Sequence, residues 1–95
     1  MKQTVDSNLI VKVTERFIKL QLIESPTSEL FLRDLITRKI IDFETMRNYL
    51  IVKDYDTYLR CNKNVIKDTL YDLSDDYNLF HGQIRKIHRK YSRIF

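Results

Sequence analysis

The stretch LYDLSDDYNLFHGQIRKIHR, residues 70–89, reads as two short helices folded across a tight turn. Leu73 is apolar and Ser74 small. Tyr77 is large and ring-bearing, Asn78 follows, and Leu79 is again apolar. Ile84 and Ile87 come next at helical spacing. Two helices crossing steeply need a small side chain where they touch, which Ser74 supplies. The turn needs one residue at positive φ, and after glycine asparagine adopts that conformation at the least cost. Leu73, Tyr77, Leu79, Ile84 and Ile87 then form the core between the two helices. What remains outward on the second helix is polar and cationic. An ordinary helical hairpin satisfies the same residue types.

The rest of the chain agrees with a helical reading. Its 95 residues suit one domain with a modest core, and 43% hydrophobic with 32% charged residues is ordinary for a folded protein. One glycine and one proline are too few for the many turns of a β sandwich. An all-α fold of four to five helices is expected over 1–95. No run of about eighteen apolar residues predicts a membrane span. The opening MKQTVDSN lacks the apolar core and cleavage site of a signal peptide. Cys61 is alone, which leaves no internal disulfide and no multi-cysteine zinc site. A reduced, cytoplasmic setting follows, with Cys61 a small packing residue rather than a nucleophile.

Helix signals recur along the chain. The first helix is expected over about Ser7 to Glu24, capped by Asp6 or Ser7 and stopped before Pro26. Its apolar residues cover more than one face, so it is either central in the core or buried against a second subunit. β-branched residues leave a strand open for Leu9 to Val13. The second helix is expected from Pro26 with Ser25 as cap, burying Leu30, Phe31, Leu32, Leu35 and Ile36. Lys39-Ile40-Ile41 carries the chain onward, and Asp42 caps a third helix from Phe43 to about Cys61. Tyr49 to Val52 is its most strand-like part, and no single apolar face can be fixed on it. The fourth helix, about Lys63 to Tyr77, buries Val65 or Ile66, Thr69, Leu70, Leu73 and Tyr77. Asp68, Asp72, Asp75 and Asp76 make its wet face; they lack the loop and glycine of a calcium motif. The last helix spans about His81 to Ser92, with Ile84, Ile87, Tyr91 and Ile94 inward.

Charge is unevenly placed. Residues 1–77 carry twelve Lys and Arg against thirteen Asp and Glu, whereas residues 78–95 carry Arg85, Lys86, Arg89, Lys90 and Arg93 and no acid. The net charge of +4 therefore resides in the last eighteen residues. Such a cluster is the footprint of a polyanion partner. Cations near a helix C-terminus also complement its dipole, but five exceed that role. Catalytic and metal chemistry find little support. His81 and His88 stand two helical turns apart with no cysteine or glutamate beside them, Asp54 and Asp56 point to different sides of a helix, and Gly82 is the only glycine, so no phosphate-cradling loop exists. Neither enzyme activity, nor a cofactor, a metal or a small-molecule substrate is expected.

On residues Leu70 to Arg89 the chain resembles the helix-turn-helix superfamily of DNA-binding transcriptional regulators. Within it the layout is most similar to the Mor activator and Trp repressor type, where the motif closes a small all-helical domain. Phe80 departs from the pattern, standing where such motifs carry a serine or threonine cap. A missing cap costs about 1 kcal/mol, and either Phe80 packs against the preceding helix or His81 caps in its place.

The resemblance implies a small sequence-specific regulator that binds double-stranded DNA and acts as a homodimer. Residues 1–41 would supply dimerisation or a partner surface, and 43–95 the DNA-binding part with the motif at 70–89. The last helix would enter the major groove, with His81, Gly82, Gln83, Arg85 and Lys86 toward base edges. Arg85 suits guanine O6 and N7, and Gln83 suits adenine. Arg89, Lys90 and Arg93 lie further along and suit phosphates. Gly82 either lets DNA approach the backbone or relieves crowding against the fourth helix. The alternative function is a helical interaction module whose basic C-terminal helix docks on an acidic partner. RNA binding would need exposed aromatics, and the tyrosines are expected to be mostly buried. Docking on an anionic membrane is disfavoured, because Phe80, Ile84, Ile87 and Tyr91 are needed for the core.

Overall fold

The computed structural model describes residues 7–24 and 28–95. They form α1 (Ser7–Glu24), α2 (Glu29–Thr37), α3 (Phe43–Cys61), α4 (Ile66–Tyr77) and α5 (His81–Tyr91), with no strand among the described residues. Both strand-like segments, Leu9 to Val13 and Tyr49 to Val52, lie inside helices. Asp42 caps α3 as expected, its Oδ1 accepting the Thr45 N–H at 2.8 Å. The expected caps Asp6 and Ser25, and Pro26, lie outside the described residues. The second helix starts later than expected, at Glu29, where Ser28 Oγ accepts the Phe31 N–H at 3.3 Å and Glu29 complements the dipole.

α3 runs through the middle of the fold and packs on α1, α4 and α5. It buries Met46, Leu50, Ile51 and Val52 together with the polar Asn48 and Asp54. A helix covered by three neighbours has no single apolar stripe. Val13, Phe17 and Ile18 of α1, Leu32 of α2, and Leu70, Leu73 and Tyr77 of α4 complete the core, which Leu79 and Ile84 close. Leu73 and Ile84 are wholly buried, and truncating such a residue to alanine costs about 2–5 kcal/mol.

A polar knot ties three of these helices. The Arg16 guanidinium donates twice to the Asp54 carboxylate, at 2.9 and 2.9 Å, and once to the Tyr77 hydroxyl at 2.9 Å. Tyr77 in turn donates to Asp54. The bond to Asp54 holds the Arg16 pKa above its ordinary value, and burial followed by the same carboxylate pushes Tyr77 upward. A fork-to-carboxylate pair with a third partner satisfies groups that would otherwise be costly to bury.

Three helices end on a left-handed residue, and none of these is glycine. Lys39 (φ 60), Lys63 (φ 53) and Asn78 (φ 54) follow α2, α3 and α4. At Lys39 the helix closes with Ile40 N–H to Leu35 O at 3.0 Å and Lys39 N–H to Ile36 O at 3.0 Å. At Lys63 the equivalent bonds run from Asn64 N–H to Leu59 O at 2.7 Å and from Lys63 N–H to Arg60 O at 3.2 Å. Both are the doubly bonded helix ending that usually selects glycine.

Several expectations about burial are corrected. Leu32 and Ile36 are the α2 residues packed into the core, so Leu30 and Phe31 fall on its open flanks, 80% and 58% exposed. α1 is not the central helix, and Ile10, Val11 and Ile23 are exposed on it. α4 begins at Ile66 rather than Lys63 because Lys63 and Asn64 both take positive φ, which leaves Val65 and Ile66 in solvent. Cys61 is exposed rather than packed. Ile94 also points outward; Phe95 stacks on Tyr91 in its stead, with ring centroids 5.3 Å apart.

Candidate nucleic-acid interface

The α4–α5 hairpin is built on three linking residues, Asn78, Leu79 and Phe80. Asn78 takes the left-handed conformation (φ 54, ψ 47), and its N–H donates to Ser74 O. Leu79 N–H donates to the same carbonyl at 3.3 Å. The Ser74 hydroxyl donates to Leu79 O, so this residue fastens the turn as well as being small. Leu79 is thereby turned into the core.

Phe80 does neither of the things expected of it. The residue is 61% exposed, so it neither packs on the preceding helix nor belongs to the core. His81 does not cap α5 either. Gln83 reaches back instead, its Oε1 accepting the Phe80 N–H at 2.8 Å. This is the return half of a capping box. The bond occupies an oxygen that a paired contact with adenine would require, so Gln83 has two competing uses.

Ile84, Ile87, His88 and Tyr91 form the inner side of α5. At 3.6 residues per turn, Gly82, Lys86, Arg89 and Arg93 line up on the opposite side, flanked by His81 and Arg85 on one edge and by Gln83 and Lys90 on the other. All eight are exposed. Arg93 lies past Tyr91, in the closing turn rather than on the helix. Arg85, Lys86, Arg89, Lys90 and Arg93 make no ion pair among the described residues, whereas Arg16, Arg33, Arg38 and Lys53 on the other helices do. Lys90 lies 5.2 Å from the centroid of the Tyr91 ring.

At the start of α5 the surface turns aromatic. Tyr71 is exposed, unlike the other tyrosines, which are buried or half-buried, and meets His81 edge to face at 6.4 Å. Phe80 stands next to this pair in the chain. A Cβ built on Gly82 would meet nothing within 4 Å, and its φ is not positive. Crowding against α4 therefore does not explain this glycine. His88 faces the other way, stacked on Tyr55 at 3.8 Å and 3.9 Å from Asp56.

One basic residue beside this surface escaped the sequence reading. Arg47 of α3 is half-buried and lines a groove with Lys86, Ile87, Lys90 and Tyr91 of α5. Its guanidinium donates from Nε and Nη2 to Asn48 Oδ1, at 3.2 and 3.0 Å, and burial lowers its pKa. No signal in the sequence joins Arg47 to Lys86 and Lys90, because only the packing of α3 on α5 does so. Among the described residues no group of His, Cys, Asp and Glu is arranged to hold a metal, and no helix is long and apolar enough to cross a membrane. Comparison with known proteins finds no matching family model, no matching curated protein and no matching solved structure.

Proposed function

We propose that this chain binds double-stranded DNA through α5, using α4 and α5 as a helix-turn-helix, and acts as a small transcriptional regulator. The observation that carries this reading is the exposed side of α5, where Arg85, Lys86, Arg89 and Lys90, with Arg93 in the turn that follows, make no ion pair among the described residues. Uncompensated cations along one helix match a phosphate backbone, and a helix is the element that fits the major groove. Arg85 and Lys86 would then face base edges, with His81 and Gly82 beside them, while Arg89, Lys90 and Arg93 hold phosphates. Gln83 joins the base-reading set only if its side chain releases Phe80. Homodimerisation through α1 and α2 belongs to the same proposal, supported by the exposed Val11, Ile23, Leu30 and Phe31. A second reading, docking on an acidic protein, draws support from the exposed Tyr71 and Phe80 at the edge of the basic side.

The test is an anisotropy titration of labelled random duplex DNA at several salt concentrations. The control carries Arg85, Arg89 and Lys90 all changed to Ala. Binding that weakens steeply with salt and is lost in the control supports the proposal. No binding at low salt removes it and leaves the acidic-protein reading in front.

A further inference from the structure

The groove between α3 and α5 has the makings of an anion site. Arg47, Lys86 and Lys90 line it, with Glu44 as the one acid. Glu44 is exposed and makes no ion pair with any of the three among the described residues. Ile87 and Tyr91 are the remaining α5 residues along it. Arg47 is oriented from behind. A guanidinium only donates, so the Asn48 atom facing it is the amide oxygen, and Asn48 is 4% exposed. The bonds to Asn48 engage Nε and Nη2, while Nη1 has no partner among the described residues. A half-buried cation with no carboxylate partner is costly to hold. Around Arg47 stand the neutral Asn48 amide, the Phe43 ring 6.0 Å away and the Glu44 carboxylate. Burial lowers its pKa even though the Glu44 charge favours the cation without forming an ion pair with it.

We infer that this groove holds one phosphate group between Arg47, Lys86 and Lys90. A guanidinium fork and two ammonium groups are the donors that phosphate oxygens select. The phosphate is either part of a nucleic-acid backbone or a free phosphate. In the first case the site rests on the proposed DNA reading, moves Lys86 from the base-reading set to the backbone, and extends the contact surface from α5 onto α3.

The experiment has two arms, both on the full chain. In the first, Arg47→Ala is titrated with random duplex DNA across salt concentrations, beside Lys86→Ala, an exposed position outside the buried core. A backbone phosphate in the groove lowers the salt slope by about one in each variant, uniformly across sequences. In the second, inorganic phosphate is titrated at constant ionic strength while the Arg47 guanidinium resonance is followed by NMR. Saturable movement in the wild type that disappears in Lys86→Ala supports the site. If the wild type does not bind DNA yet phosphate saturates Arg47, the DNA reading falls and the site stands for a free phosphate. If Arg47→Ala and Lys86→Ala keep the wild-type salt slope and phosphate leaves Arg47 unmoved, the inference is overturned.

Discussion

Replacing Gly82 with alanine should move stability and DNA binding in opposite directions. Gly82 is the second residue of α5, its φ is not positive, and a Cβ there meets nothing within 4 Å. Nothing in the fold asks for glycine, and in a helix it is worse than alanine by about 0.5–1 kcal/mol. Part of that gain comes from restricting the unfolded chain. For a domain of this size it corresponds to a rise in Tm of about 3–6 °C. If DNA approaches the start of α5 closely enough to use the bare Cα, the added methyl must push it away. One methyl too many in a packed contact costs about 1–3 kcal/mol, so affinity should fall about 5- to 150-fold. Thermal denaturation by circular dichroism and anisotropy with duplex DNA measure the two sides separately. A variant that is stabilised yet binds with unchanged affinity removes Gly82 from the contact surface. A destabilised variant refutes the open-space argument itself.

Other outcomes follow from the core and the helix ends. Lys39→Gly and Lys63→Gly should each stabilise by up to about 1 kcal/mol, because a side chain in the left-handed region is relieved; chemical denaturation with an unchanged m value checks this. Asp54→Ala should destabilise by about 3 kcal/mol, since it leaves the Tyr77 hydroxyl and the Arg16 guanidinium without their shared acceptor; a loss under 1 kcal/mol in urea would show that solvent replaces the carboxylate. Tyr77 is held protonated above its ordinary value of 10.0, first by burial and then by Asp54. The unfolded chain gives up that proton near pH 10 and the folded chain keeps it, so stability should fall above that pH. The Tyr77→Phe variant should lose about 1.4 kcal/mol per pH unit of that decline, read from denaturation midpoints measured between neutral and strongly alkaline pH.

The parts of the fold that the residues announce are those where one side chain decides a local geometry. Asp42 before Phe43 can only help as a cap, and Asn78 is the natural occupant of a left-handed turn, so α3 and the α4–α5 hairpin are found from sequence. Lys39 and Lys63 carry no such signal. Lysine has no preference for positive φ and takes it here because the helix-ending hydrogen bonds and the next helix's packing over-determine the backbone. The late start of α4 follows from that, as does the exposure of Val65 and Ile66. α3 defeats pattern reading for a different reason. Its neighbours surround it, and Asn48 and Asp54 are buried because partners from elsewhere meet them. The basic side of α5 is visible as a run of cations without acids, four of which need only the helical period to become a stripe, with Arg93 in the turn beyond. Arg47 is invisible, since its relation to Lys86 and Lys90 spans two helices and some forty residues of chain.

The knot of Arg16, Asp54 and Tyr77 also says something about the order in which the molecule is made. Its bonds join residues 38, 61 and 23 apart in the chain. The shortest link closes within α3 and α4, neighbours that also share Asn62 with Thr69 and Asp72. Loop closure makes distant pairings late ones. On that ground α3, α4 and α5 should meet first, with α1 arriving afterwards to fasten a surface already formed. A late fastening acts as a latch. Loosening it, as in Arg16→Met, should leave the refolding limb of a chevron nearly unchanged and speed unfolding. The lifetime of the folded molecule would then be set at its N-terminal helix, while the basic side belongs to its last one.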